Sequence, residues 1–175
     1  MYVRRVVTGQ PADGRSVFVS DEQVEPIQVA GLEFHRIWGS DGLVQLPTDG
    51  RASQPRLYFP PAGGFRFGFF TLPPASAPLP RGGVLAQMRE KLPGLAEVLE
   101  PDHPGMHTTD TVDFDVVVSG EVWLELDEGA ELLLRPGDCV VQNGTRHAWR
   151  NRSDQPCTIA VALVGAARSN VIPRR

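Results

Sequence analysis

Two short segments carry residue types that can do chemistry together. The first runs His107-Thr108-Thr109-Asp110-Thr111-Val112-Asp113 and closes on Gly120. The second runs from Gly137-Asp138 through Asn143-Gly144-Thr145-Arg146 to His147-Ala148-Trp149-Arg150-Asn151. In an extended chain, residues of equal parity share a face, so a regular strand over 107–113 points His107, Thr109 and Asp113 the same way. The second segment reads as a strand, a glycine turn and a second strand that opens at His147. Two imidazoles and one carboxylate, brought together from neighbouring strands with one side left open, suit a divalent metal. Non-haem iron fits that set, and manganese, nickel or zinc are accepted as well. The alternative is a barrel without an ion, in which His107 and His147 are hydrogen-bonded pocket residues. Trp149, two residues after His147, shares its face and either stacks a flat ligand or packs in the core.

The elements that must hold these residues are strands. Sixteen prolines and eighteen glycines punctuate short apolar runs, a pattern of strands and turns rather than helices. Strand-like runs precede the motifs at 3–7, 16–20, 27–30, 32–38 and 65–72. Six more follow at 112–119, 122–126, 132–134, 139–142, 147–150 and 158–164. Tight turns at Ser119-Gly120, Asp127-Glu128-Gly129 and Pro136-Gly137-Asp138 join several of the later ones, as in a sandwich or barrel meander. Residues 43–64 read as a long irregular segment and 73–80 as a proline-rich loop. The one helical candidate, 87–100, is interrupted by Pro93, which predicts a short helix or two turns.

The two motif segments resemble the paired motifs of the cupin superfamily, the single-domain conserved-barrel type. The first family motif is His-x-His, a Glu and a Gly. His107 and Gly120 match it, Thr109 stands at the second His and Asp113 at the Glu. Gly137, Asp138, Gly144, His147 and Asn151 match the second motif, with Asn143 where a proline is usual and a turn one residue short. The resemblance covers residues 105–165. It implies an all-β fold: a single jelly-roll barrel with extra N-terminal strands, divided as 1–102 (N-terminal strands extending the barrel), 103–165 (core barrel) and 166–175 (tail). It also implies a metal held by His107, Asp113 and His147, with Asp113 and His147 catalytic and Thr109 and Trp149 contacting substrate. His103 is read as exposed, Trp123 as core, His35 as structural or interfacial, and Asp138 as a turn residue.

Composition limits the partners. A net charge of −4 leaves no basic stripe for nucleic acid; the arginine pairs at 4–5 and 174–175 read as solvated ends. No run approaches the ~18 apolar residues of a membrane span, and no signal-peptide pattern opens the chain, so a cytoplasmic protein is expected. Cys139 and Cys157 sit in apolar runs and read as buried, reduced thiols. A barrel of this size holds one small ligand. The expected function is therefore metal-dependent chemistry on a small organic acid or an aromatic or polyketide-like molecule, as a lyase, isomerase or decarboxylase. A non-haem iron dioxygenase and a non-catalytic sensing cupin are the alternatives. The Thr109 hydroxyl and a labile Asp113 carboxylate favour proton transfer. A homodimer is expected, because strands beyond those of a simple barrel precede the motifs and pairing covers sheet edges.

Overall fold

The computed structural model describes residues 1–51, 55–78 and 82–169; the terminal arginine pair and most of the expected tail lie outside them. The chain opens with a hairpin of β1 (Arg4–Gly9) and β2 (Val17–Gln23) that forms a sheet of its own. β2 runs three residues past the expected end. There Asp21 and Glu22 face the two arginines of β1 across the ladder, with Arg4 Nε donating to Asp21 at 2.6 Å. Opposite charges on paired strands support the register.

The main body is two sheets. Six strands, β3 (Ile27–Val29), β4 (Leu32–Ser40), β5 (Phe65–Leu72), β6 (Thr111–Ser119), β9 (Cys139–Asn143) and β11 (Cys157–Gly165), form one antiparallel sheet in the order β3-β4-β5-β11-β6-β9. Three shorter strands, β7 (Val122–Glu125), β8 (Glu131–Leu134) and β10 (Ala148–Arg150), form the second in the order β10-β7-β8. The fold is the all-β cupin barrel that the motifs imply. β5 sits in the middle of the larger sheet beside β11, so the N-terminal strands are part of the barrel wall.

The β6–β7 turn fixes the bridge between the sheets. Gly120 has φ +74°, and a Cβ there would lie 2.4 Å from the Pro156 carbonyl oxygen. Only glycine meets both demands. Between the sheets, Val117, Val122, Leu124, Leu134, Cys157 and Ile159 pack into one core. A second core gathers Val29, Phe34, Met88, Leu92, Leu95 and Ala96 under α1 (Val84–Lys91). This helix begins three residues earlier than the sequence suggests and ends before Pro93. The residue ahead of a proline is pushed out of helical geometry, and Leu92 is non-helical. A single 3₁₀ turn, Ala96–Val98, follows. Residues 43–64 hold no strand or helix among those described. Of the two cysteines, Cys157 is buried and Cys139 is exposed, against the expectation that both are buried. It lies on the edge strand β9, on the side facing away from the barrel.

Candidate active site

His107 and His147 meet through the main chain before their rings meet. They form an isolated antiparallel bridge outside the named strands, each amide N–H donating to the other's carbonyl at 2.9 and 3.0 Å. The ring centroids lie 4.2 Å apart. Each Nδ1 is paired with a nearby carbonyl oxygen, His107 with Gly105 at 3.0 Å and His147 with Thr145 at 2.9 Å. A neutral imidazole held in this way carries its proton on Nδ1 and leaves Nε2 as an acceptor. Burial pushes both rings toward the neutral form. His147 falls to about 4, first through desolvation and then through His107 beside it; desolvation also lowers His107.

Both rings line a cavity of about 530 Å³ that runs between the two sheets and under α1. Its walls are largely apolar: Phe34, Phe70, Val84, Met88 and Leu99 among them. Trp149 contributes on both counts, since it lines the cavity and also packs on the inter-sheet core. Its ring stands edge-on to His147 at 6.0 Å.

The buried polar wall of the cavity is β6; Arg89 of α1 and Glu100 of the segment that follows it also line the cavity. Asp113 and Asp115, two residues apart, point the same way and are each 4% exposed. Asp113 Oδ1 has no hydrogen-bond partner. Desolvation lifts Asp113 to about 6, opposed by the Thr111 hydroxyl. Asp115 rises to about 8, through desolvation first and the neighbouring Asp113 second. Asp115 lies outside the three-ligand set expected from the sequence, although the alternation Asp113-Phe114-Asp115 places it on the inward face. The apolar wall supplied by α1 left no comparable signal, because those residues are joined to the barrel only by tertiary packing.

The shared parity expected of His107, Thr109 and Asp113 does not extend along the segment. Regular strand begins at Thr111, and His107 belongs to the separate bridge. Thr109 is buried with its hydroxyl 2.8 Å from that of Thr111, and it does not line the main cavity. Among the described residues no three His, Cys, Asp or Glu side chains are placed to hold one ion. The bridge brings two imidazole donors together and leaves the carboxyls as a separate pair.

The remaining residues fall outside the cavity. His103 is exposed and lies 3.3 Å from Glu100. His35 is buried on β4 with neither ring nitrogen partnered. Trp123 is half-buried under the Arg152 guanidinium, 5.3 Å from its ring centre, rather than in the core. Asp138 caps its turn, accepting from the Arg135 amide at 2.8 Å. Asn151 ties β10 to the neighbouring strand ends, its Nδ2 donating to Pro73 O at 3.0 Å and Gln155 O at 2.7 Å. Arg146 brackets the site with a two-pronged ion pair to Glu100, at 2.6 and 2.7 Å. No helix among those described is long and apolar enough to cross a membrane.

Comparisons with known proteins agree with the fold. A cupin domain model matches residues 96–164. The phomopsin biosynthesis cluster protein C' of Diaporthe leptostromiformis is 33% identical over 152 residues, which cover 85% of this chain and 70% of that protein. A cupin-domain-containing oxidoreductase of Neurospora crassa, srdB, is 26% identical over 159 residues, 86% of this chain and 67% of its own. Among solved structures, the Cnp3 cupin domain of Schizosaccharomyces pombe superposes with a TM-score of 0.50 at 8% identity, covering 93% of this chain and 87% of that one. A cupin domain model over residues 96–164, a barrel of two antiparallel sheets and a relative matched over most of both chains lead to one conclusion: the chain belongs to the cupin superfamily.

Proposed function

We propose that this cupin acts in the biosynthesis of a secondary metabolite, catalysing a non-oxidative proton transfer on a neutral aromatic or polyketide-like molecule held in the barrel cavity. The place in metabolism rests on its similarity to a protein named for the phomopsin biosynthesis cluster. The chemistry rests on one observation: a pair of buried carboxyls without compensating cations lines an apolar cavity beside two neutral imidazoles. Of the substrate classes expected from the sequence, the organic acid is disfavoured. An anion placed against Asp113 and Asp115 meets like charge in a poorly solvated site.

The two carboxyls have different tasks at neutral pH. Asp115 stays protonated and donates a hydrogen bond to a substrate carbonyl oxygen. Asp113 is mostly ionised and accepts a proton from the adjacent carbon. Splitting the pKa values of neighbouring carboxyls assigns acid and base in this way. The proton leaves carbon for Asp113 while the Asp115 proton moves to oxygen, which gives an enol. In a conjugated substrate, Asp113 then delivers its proton to a different carbon of the dienol while the oxygen-bound proton returns to Asp115, which restores both carboxyls and completes an isomerisation. The Nε2 atoms of His107 and His147 accept hydrogen bonds from substrate hydroxyls. Trp149 and Phe70 flank the apolar body. No step here runs through a metal ion, since among the described residues the donor geometry offers two imidazoles and no third ligand.

Solvent-deuterium exchange tests this reading. Aromatic ketones and β-diketones in deuterated buffer are expected to take up label at carbon with the wild-type protein. Asp113→Asn should slow that exchange at least 100-fold. Absence of exchange in every compound that binds would sink the proposal. A second reading, oxidoreductase chemistry, is favoured by similarity to the named oxidoreductase. Substrate consumption strictly matched by oxygen uptake in the same assay would select it.

A further inference from the structure

The segment Pro55-Arg56-Leu57-Tyr58-Phe59-Pro60 is neither strand nor helix, yet it is held from several sides. Arg36 on β4 reaches across to its carbonyls, donating to Arg56 O at 3.3 Å, to Leu57 O at 3.1 Å and also to Pro55 O. Arg66 on β5 donates from Nε to the same Leu57 oxygen at 3.1 Å. The Tyr58 N–H donates to Pro93 O at 2.8 Å, which ties the segment to the end of α1. With the main chain fixed, the Tyr58 ring is fixed too. Phe34 and Phe59 meet it edge-on, with ring centroids 5.6 and 4.9 Å away, a geometry that aromatic quadrupoles favour.

The strand registers show where that ring stands. At the level of Asp115, one row across the larger sheet reads Asp115, Val161, Gly68, Arg36. Gly68 brings no side chain to the row; a Cβ there would lie 2.5 Å from the His35 carbonyl oxygen. Tyr58 shares a small cavity with Arg36, Gly68 and Val161, and it also lines the main cavity together with Asp113 and Asp115. Its hydroxyl feels Asp115 more strongly than Asp113. Burial first, and then these two carboxyls, hold the phenol above its ordinary range, with Arg36 opposing them. Tyr58 therefore keeps its proton at every pH near neutral and is available as an uncharged donor.

We propose that Tyr58 is a further catalytic residue, whose hydroxyl donates a hydrogen bond to the same substrate carbonyl oxygen that Asp115 serves. This rests on the proton-transfer reading of the cavity. Enolisation builds negative charge on that oxygen before the Asp115 proton has crossed, and in an apolar cavity a second positioned donor is worth far more than it would be in water. The two donors do different work. Asp115 passes its proton to oxygen and takes it back; Tyr58 keeps its own and only hydrogen-bonds, so the proton count of the reaction is unchanged. The role also narrows the substrate. Its carbonyl belongs at the Tyr58–Asp115 side of the cavity, and any hydroxyls that meet His107 and His147 must sit elsewhere on the molecule. A tyrosine that served only as a wall between Phe34 and Phe59 would lose nothing as phenylalanine.

Tyr58→Phe is the test, because it removes the hydroxyl and keeps both ring contacts. Its melting temperature should equal that of the wild type. In the deuterium-exchange assay its kcat should fall about 100-fold with KM nearly unchanged, the mark of an interaction made in the transition state. A second readout needs no turnover. With 2-acetylnaphthalene labelled with carbon-13 at the carbonyl, the infrared C=O stretch of the bound ketone should lie at lower frequency in the wild type than in Tyr58→Phe. Wild-type kcat in Tyr58→Phe overturns the proposal and leaves the proton-transfer reading standing. Absence of exchange in the wild type sinks that reading instead, and the carbonyl frequency then decides Tyr58 by itself. Equal frequencies in the two proteins, or no binding of the ketone, overturn the proposal. So does a loss of activity that comes with a lowered melting temperature and an unmoved carbonyl band.

Discussion

The two faces of β6 are made by the same nine residues and obey opposite rules. The inward face carries Thr111, Asp113 and Asp115, all buried; the outward face carries Phe114, Val116 and Val118, all at least 38% exposed. Simple alternation says only that a strand has two sides. Which side is the interior is decided by the other strands that close around it. Here they close around the polar side, and Asp113 and Asp115 line the cavity between the sheets. The polar face therefore carries a desolvation cost, and the apolar face stays in contact with water.

That contrast can be broken most severely from the inside. Ile159 on β11 is fully buried between the sheets, so Ile159→Ala should lower the unfolding free energy by about 3–4 kcal/mol through lost burial and the cavity left behind. Urea denaturation of the variant is the measurement. The next effect concerns the carboxyls. Both are raised in the folded chain, so the stability tied to their protonation is complete below the unfolded value of 3.8. It is lost as pH rises through about 6 and then 8. His147 runs the other way. Its folded value of about 4 lies under the free 6.5, so its contribution is present above pH 6.5 and is lost as pH falls toward 4. Above pH 6.5 only the carboxyl slope remains. The melting temperature should therefore fall between pH 6.5 and 8.5. Asp115→Asn should flatten that fall and gain about 2–3 kcal/mol at pH 8.5, the gain shrinking toward pH 4. The smallest effect belongs outside. Val118→Thr, measured at a protein concentration low enough to separate any dimer, should change stability by less than ~0.5 kcal/mol. A larger loss there would show that the outer face is already covered within one chain.

Much of this was legible in the residues. The strand runs from Ile27 to Leu72 and from Val112 to Val164 appear nearly where the alternating and apolar patterns place them. The histidine pair and Trp149 come together as the motifs imply. What failed, failed for identifiable reasons. Parity carried Thr109 into the site because it assumed regular strand from residue 107, whereas the backbone between His107 and Thr111 is irregular and turns the Thr109 hydroxyl onto Thr111. Asp115 is legible in the same alternation, one step beyond Asp113, the carboxylate of the three-ligand set. The apolar roof from α1 was not legible at all. It arises from the contact of the helix with β3 and the core beneath it, and a short segment with a proline near its end carries no record of what it will pack against.

The reciprocal bridge between His107 and His147 is drawn entirely by main-chain atoms. Every residue carries the carbonyl and every residue except proline the N–H, so the bridge between these two positions can close without help from their side chains. Architecture and reactivity are thereby held by different parts of the same two residues. A chain built in this way can exchange its reactive groups one at a time, histidine for glutamine or tyrosine, without first re-learning how to fold. The mouth of this barrel is a place where new activities can be tried at little structural risk.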